Sequence, residues 1–194
     1  MLLILPACLH ASQLVLTGGY AYSGAPHTGA DVASGYHPVV AGSGFTFGVR
    51  ADIDNPSRRW WFSPSFLYWS NLTGAPDPNS KVNYFQAEVG GRALIHTPND
   101  PKFYGGVGLG YSLSHGVKTP KAGGDQETYD ADFPSASLHA GVKTLNIASG
   151  ISFLGELSYH FGLLHPHSHL AIGPANAILV QVGMGFDLLS GAQP

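Results

Sequence analysis

Apolar and polar residues alternate with period two in eight separate stretches of this chain, and that patterning commits it to β-strands with one apolar face. The stretches are Gln13–Ser23, Gly44–Ile53, Trp60–Asn71, Val82–His96, Phe103–Ser114, Ser135–Leu145, Ile151–Leu163 and Ala177–Leu188. The last is the cleanest: Ile178, Val180, Val182, Met184, Phe186 and Leu188 share one side. In the second stretch Phe45, Phe47, Val49, Ala51 and Ile53 do the same. Globular strands usually run about five or six residues. These are longer, and about 9–11 residues carry a tilted strand across a bilayer. The chain holds no run of about 18 apolar residues, so it has no membrane-spanning helix.

The opposite faces decide what kind of β-protein this is. They carry Thr46, Arg50, Asp52, Gln86, Glu88, Arg92, His139, Lys143, Glu156, Ser158, His160, Gln181 and Asp187. Glycines fill much of the remainder, among them Gly48, Gly90, Gly106, Gly108, Gly110, Gly141, Gly183 and Gly185. A solvent-facing sheet surface built from glycine is poor strand design, because glycine costs entropy and packs nothing. Inside a narrow barrel the same residues fit, with glycine leaving room for long side chains from the opposite wall. The charges nearly balance there. Arg50, Arg92 and Lys143 stand against Asp52, Glu88, Glu156 and Asp187, and buried charges must pair. We expect Arg50, Asp52, Glu88, Arg92, His139, Lys143, Glu156, His160 and Asp187 to form a polar network in the lumen, with Glu156 paired to Arg92 or Lys143.

Connector lengths point the same way. Residues 24–43, 72–81, 115–134 and 164–176 make long connections, and residues 54–59, 97–102 and 146–150 make short ones, in strict alternation. Asp54-Asn55-Pro56-Ser57 and Pro98-Asn99-Asp100-Pro101 are turn sequences. Short turns at one end and long loops at the other are the pattern of bacterial outer-membrane barrels. The expected fold is all-β, an eight-stranded antiparallel up-and-down transmembrane β-barrel over residues 13–188. An even strand count puts both termini at one end, expected to be periplasmic, with residues 189–194 as a short tail. Residues 1–12 read as a signal-peptide-like segment, an apolar run followed by small residues near Ala11. Cys8 is the one cysteine, so no internal disulfide forms.

Tyr20, Tyr22, Trp60, Tyr68, Phe103, Tyr111, Tyr159 and Phe161 fall towards strand ends on the apolar face, where membrane interfaces collect aromatics. The third strand fits least well. Pro64 removes a ladder bond, and Trp61, Leu67 and Trp69 point to the lumen.

Phe103-Tyr104-Gly105-Gly106-Val107-Gly108-Leu109-Gly110-Tyr111 resembles a middle strand of the small outer-membrane β-barrel proteins, the OmpA-like and OmpX-like group. Glu156-Leu157-Ser158-Tyr159-His160-Phe161 resembles their penultimate strand, and Val182-Gly183-Met184-Gly185-Phe186-Asp187-Leu188 their closing strand. The resemblance covers roughly residues 13–188 and is one of alternation and glycine spacing. It implies residence in the bacterial outer membrane, contact with its lipids and lipopolysaccharide, insertion by the barrel-assembly machinery, and a monomer. Family members often end on an aromatic residue; this chain continues through Leu189-Ser190-Gly191-Ala192-Gln193-Pro194.

Three clusters suggest chemistry. His165, His167 and His169 alternate in an expected extracellular loop, spaced to share Zn²⁺ or Cu²⁺. Glu156, Ser158 and His160 alternate on one strand as an acid, a nucleophile and a base. Some small outer-membrane barrels are lipid A deacylases with such residues, but in the order His-x-Ser; here Ser158 precedes His160. Residues two apart on a strand stand about 6.5–7 Å apart, which is expected to prevent a direct Ser158–His160 bond. Asp125, Glu127, Asp130 and Asp132 form an acidic patch expected in the third long loop.

The charge of −3 shows no basic surface for nucleic acid, and no cofactor motif is present. The functional expectation is a structural or surface-contact protein acting through its long loops. The alternatives are a lipid A-modifying hydrolase and a narrow passage for small solutes.

Overall fold

The computed structural model describes residues 13–24, 42–54, 59–71, 73–74, 81–96, 101–118, 127–144, 150–163 and 176–188. Eight long strands build the wall: β1 (Gln13–Gly24), β2 (Gly42–Asp54), β3 (Trp60–Asn71), β5 (Lys81–His96), β6 (Lys102–Lys118), β7 (Glu127–Lys143), β8 (Ile151–Gly162) and β9 (Asn176–Asp187). A two-residue strand, β4 (Thr73–Gly74), continues the line of β3 and pairs with Gly42 and Ser43 of β2. Every pairing is antiparallel, and each long strand pairs with the next along the chain. Pairing of β1 with β9 closes the sheet, from Gln13↔Asp187 to Gly24↔Asn176. Closure removes the open edges that a sheet cannot expose to lipid.

The faces follow the alternation. Val107, Leu109, Val180 and Val182 are among the most exposed large apolar residues, at 55–70%. Trp60, Phe62, Phe103 and Phe153 ring one end of this outward surface. Tyr20, Tyr22, Tyr111 and Tyr159 ring the other. Two exterior tyrosines bond across to polar residues at the second ring. Tyr68 Oη donates to Asn83 Oδ1 at 3.0 Å, and Tyr111 Oη donates to Asp132. An apolar belt between aromatic rings is the exterior of a bilayer-spanning barrel.

The third strand takes its place in the wall with Trp61, Leu67 and Trp69 buried in the lumen. Pro64 leaves a visible gap. β2 and β3 pair from Thr46↔Trp69 to Arg50↔Ser65 and resume at Ile53↔Phe62, skipping the positions opposite Pro64 and Ser63. Pro64 keeps its place against Val89 of β5.

One expected loop is largely strand. β6 runs to Lys118 and β7 begins at Glu127, with their ladder continuous to Lys118↔Glu127. Glu127, Asp130 and Asp132 therefore lie on β7, while Asp125 lies outside the described residues. The apolar alternation stops near Leu113, where the belt ends, but the backbone pairing does not. Beyond a membrane both faces of a strand meet water, so pattern alone no longer marks it.

Candidate functional site

The lumen is filled in layers. At the end carrying the connections after β1, β3, β6 and β8, Leu67, Trp69, Tyr84, Phe133 and Leu179 pack with Ala21 and Ala177. Trp69 stacks on Tyr84, with centroids 5.1 Å apart and planes at 12°, and the His160 ring lies 5.6 Å from Trp69. These side chains come from five different strands, so the layer spans the bore.

Beneath it lies the charged network, organised on two carboxylates. Glu156 of β8 accepts from Arg50 Nη1 of β2 at 2.8 Å, Arg92 Nε of β5 at 3.1 Å and Tyr104 Oη of β6 at 2.7 Å. Glu88 of β5 accepts from Ser137 Oγ of β7 at 2.6 Å and from Gln86 Nε2 at 2.9 Å. His139 of β7 joins the two hubs: Nε2 lies 2.9 Å from Glu88 Oε1 and Nδ1 lies 3.1 Å from Glu156 Oε1. All of these side chains are buried. A carboxylate with several donors repays part of its desolvation through charge-assisted hydrogen bonds.

Lys143 does not reach Glu156, contrary to one expected pairing. Its Nζ lies 3.6 Å from Asp52 Oδ2 and 5.5 Å from the centre of the Trp61 ring. Asp52 also meets Arg50 Nε at 2.8 Å and accepts from Ser63 Oγ at 2.8 Å. Asp187 accepts from Gln13 Nε2 at 2.9 Å, fastening the last strand to the first. The network joins Arg50, Asp52, Glu88, Arg92, His139, Lys143, Glu156 and His160, with Lys143 at its terminal end, while Asp187 bonds to Gln13, which also bonds to Ser152. It also includes Tyr104 and Ser137, which charge patterning does not single out. Their inward parity is the signal: Tyr104 shares a face with Gly106, Gly108 and Gly110.

The inward glycines make room for adjacent strands rather than for the opposite wall. A Cβ on Gly106 would lie 2.6 Å from Arg92 Cγ on β5. One on Gly108 would lie 2.5 Å from both Glu88 Cδ and Ser137 Oγ, on the two flanking strands. Long lumen side chains lean sideways over their neighbours, because the register partner on the next strand is closer than the far wall.

The Ser158, His160 and Glu156 arrangement differs from the expectation in two ways. Ser158 Oγ lies 2.9 Å from His160 Nε2, so the two do meet; the strand repeat separates their Cα atoms, and the imidazole spans the rest. Glu156 is not the acid behind His160. His160 Nδ1 faces Gln86 Oε1 at 3.2 Å and Glu88 Oε2 at 3.7 Å. A second pair lies alongside: Ser137 Oγ is 2.8 Å from His139 Nε2. Antiparallel register sets Ser137 opposite His160 and His139 opposite Ser158. Both serines are buried in the lumen, away from the lipid-facing surface. No group of three or more potential metal ligands occurs among the described residues. His165, His167 and His169 lie outside those residues.

No protein-family model matches the sequence, and no curated protein matches it. Solved structures do. Neisserial surface protein A aligns with a TM-score of 0.60, covering 91% of this chain and 96% of that one at 10% identity. This chain has the fold of the small eight-stranded outer-membrane β-barrels, the OmpA-like and OmpX-like group. Ail, the attachment invasion locus protein of Yersinia pestis, crystallised with the heparin analogue sucrose octasulfate, aligns with a TM-score of 0.50. It covers 90% of this chain and 98% of its own at 19% identity. Each alignment takes in nearly the whole of a small barrel, so the likeness is to the complete wall and not to a few hairpins.

Proposed function

We propose that this protein is a non-conducting barrel of the bacterial outer membrane that serves as a rigid mount for surface contacts. Both termini lie on the periplasmic side in this reading, and the long connections face outward. The observation that carries it is the shape of the outward end. β7 continues from Asp132, at the edge of the apolar belt, to Glu127, with β6 alongside to Lys118 and β5 alongside as far as Lys81. At about 3.4 Å per residue, that extension runs roughly 17 Å along the strand beyond the edge of the belt. Pairing of β7 with β8 has already ended at Ser135↔Gly162. Among the described residues, the barrel thus raises a blade on the β5–β6–β7 side. A filled bore beneath it supplies rigidity, and sites held on rigid elements are better defined than sites on loops.

The test is to shorten the β6–β7 hairpin to a tight turn near Leu113 and Asp132, and to insert an epitope in residues 119–126 of the intact chain. The proposal expects the epitope to be reached by antibody on intact cells. It expects the shortened barrel to fold and insert normally while host-surface or matrix adherence is lost. An epitope reached only after the outer membrane is opened would contradict the orientation. Unchanged adherence in the shortened barrel would contradict the role of the blade.

Hydrolysis is disfavoured by the placement of Ser158 and His160. A lipid substrate would have to enter a bore already filled by the residues that would act on it.

A further inference from the structure

The cations of the lumen network are shared unevenly among its carboxylates. Asp52 pairs with Arg50 and Lys143, and Glu156 pairs with Arg50 and Arg92. Glu88 pairs with no arginine or lysine among the described residues. Its ion-pairing partners there are two histidines, His139 Nε2 at 2.9 Å and His160 Nδ1 at 3.7 Å. Ser137 Oγ and Gln86 Nε2 donate to its Oε2, but neither carries a charge. Glu88 is 3% exposed, and a buried carboxylate without a counter-charge is costly. The counter-charge has to come from one of the two rings, or Glu88 has to give up its own.

Hydrogen-bond accounting separates the two rings. A neutral imidazole has one N–H and one acceptor nitrogen, whereas an imidazolium has two N–H donors. His160 is satisfied in the neutral form. Gln86 donates through Nε2 to Glu88 and turns its Oε1 to His160 Nδ1 at 3.2 Å. Nδ1–H donates to that oxygen, and Nε2 accepts from Ser158 Oγ at 2.9 Å. His139 instead meets a carboxylate oxygen at each nitrogen. Glu88 Oε1 lies 2.9 Å from Nε2, and Glu156 Oε1 lies 3.1 Å from Nδ1. An ionised carboxylate only accepts, so a neutral ring would turn a lone pair on one of these oxygens. We propose that His139 is an imidazolium in the folded barrel at neutral pH, a proton site that clasps Glu88 to Glu156.

The groups around the ring fit this assignment. Glu88 and Arg92 face it from β5, Glu156 and His160 from β8, and Ser137 from β7 itself. Arg92 Nη2 lies 3.2 Å from His139 Nδ1 and 3.3 Å from Glu156 Oε1, so two donors stand side by side on one oxygen. Arg50 of β2 and Tyr104 of β6 go to the other oxygen, Oε2. The His160 ring stands edge-on to His139, with centroids 5.6 Å apart, and in its neutral form adds no further positive charge beside Arg92. The clasp ties β5, β7 and β8 together. Part of the cohesion of the network then depends on one proton, because a ring that loses it leaves Glu88 an unpaired buried charge.

The test is NMR of the histidine ring nitrogens in the refolded, nitrogen-labelled full chain in lipid nanodiscs at about pH 7.5, where a solvated histidine is mostly neutral. The expected spectrum shows both nitrogens of His139 protonated, assigned through ring-to-backbone correlations, and His160 neutral with its proton on Nδ1. In Glu88→Gln the His139 signals move to the neutral pattern. A neutral His139 in the parent chain overturns the proposal, since Glu88 is then the protonated partner. An imidazolium that persists in Glu88→Gln overturns the pairing with Glu88. Thermal unfolding in detergent gives a second reading. His139→Gln strands Glu88 and lowers the unfolding midpoint by more than about 5 °C. The double variant Glu88→Gln with His139→Gln has no stranded carboxylate and recovers part of that loss. A double variant that loses as much as His139→Gln or more contradicts the clasp.

Discussion

Arg50 and Glu156 stand 106 residues apart in the sequence and 2.8 Å apart in the lumen, joined from Nη1 to Oε2. The bond crosses from β2 to β8, strands separated in the wall by β1 and β9. Arg92 reaches the same carboxylate from β5 on the other side. Glu156 is therefore a brace across the bore, holding strands that share no backbone ladder.

Removing that brace leaves two buried guanidinium groups short of their counter-charge. Glu156→Ala is expected to destabilise the barrel by about 3–5 kcal/mol, the usual cost of breaking a buried pair from one side. Glu156→Gln keeps the shape and is expected to cost less. Equilibrium unfolding of the refolded protein in urea checks both. The double variant Arg50→Ala with Glu156→Ala should lose less than the sum of the single losses, because the residues belong to one network.

The glycines divide by face. Gly108→Ala drives a methyl group against Glu88 and Ser137 and is expected to cost about 1–3 kcal/mol, as overpacking does. Gly91 faces outward, and a Cβ there meets nothing within 4 Å. Gly91→Ala is expected to stay within about 0.5 kcal/mol of the parent. The same unfolding series compares them, and equal costs would contradict the account of the lumen glycines.

The belt makes a depth-dependent prediction. Val107→Arg places a charge in the middle of the exterior apolar surface, where the expected cost is about 2–4 kcal/mol. Tyr22→Arg, in the aromatic ring, should cost about 0–1 kcal/mol. Refolding into lipid vesicles followed by denaturant titration reads the difference. A soluble barrel would show no such gradient with depth.

Ser158→Ala and His160→Gln are expected to leave lipid A chemically unchanged in cells that produce the protein. Mass spectrometry of extracted lipid A is the check. A change that appears with the parent chain and disappears with Ser158→Ala would revive the hydrolase reading.

The wall of this barrel was legible because lipid imposes one rule on every spanning strand: each second residue must be apolar. Ile178 to Leu188 obeys it without exception. Which face Glu156, His139 and Arg50 occupy was legible by the same parity. Their partners were legible only in part: Arg92 for Glu156 was expected, and Arg50 was not. Choosing Arg50 over Lys143 for Glu156 requires the relative height of strands that meet only when the barrel closes, and no local pattern carries that height. Lys143 lies nearer the terminal end and takes Asp52 instead. The Ser158–His160 bond was hidden for another reason, since strand repeat distances describe Cα positions and not the reach of an imidazole. The upper part of β7, from Glu127 to Asp132, escaped because the apolar alternation stops there while the backbone ladder continues.

The most direct test of the central claim is single-channel recording of the refolded protein in planar bilayers. Insertion should be verified by the faster gel mobility of the unboiled form, since a closed ladder survives SDS until it is heated. With the bore blocked by Trp69, Tyr84 and Phe133 and braced at Glu156, the expected trace is flat at all applied potentials. Discrete, reproducible conductance steps from verified barrels would contradict the filled lumen and move the account towards a solute passage.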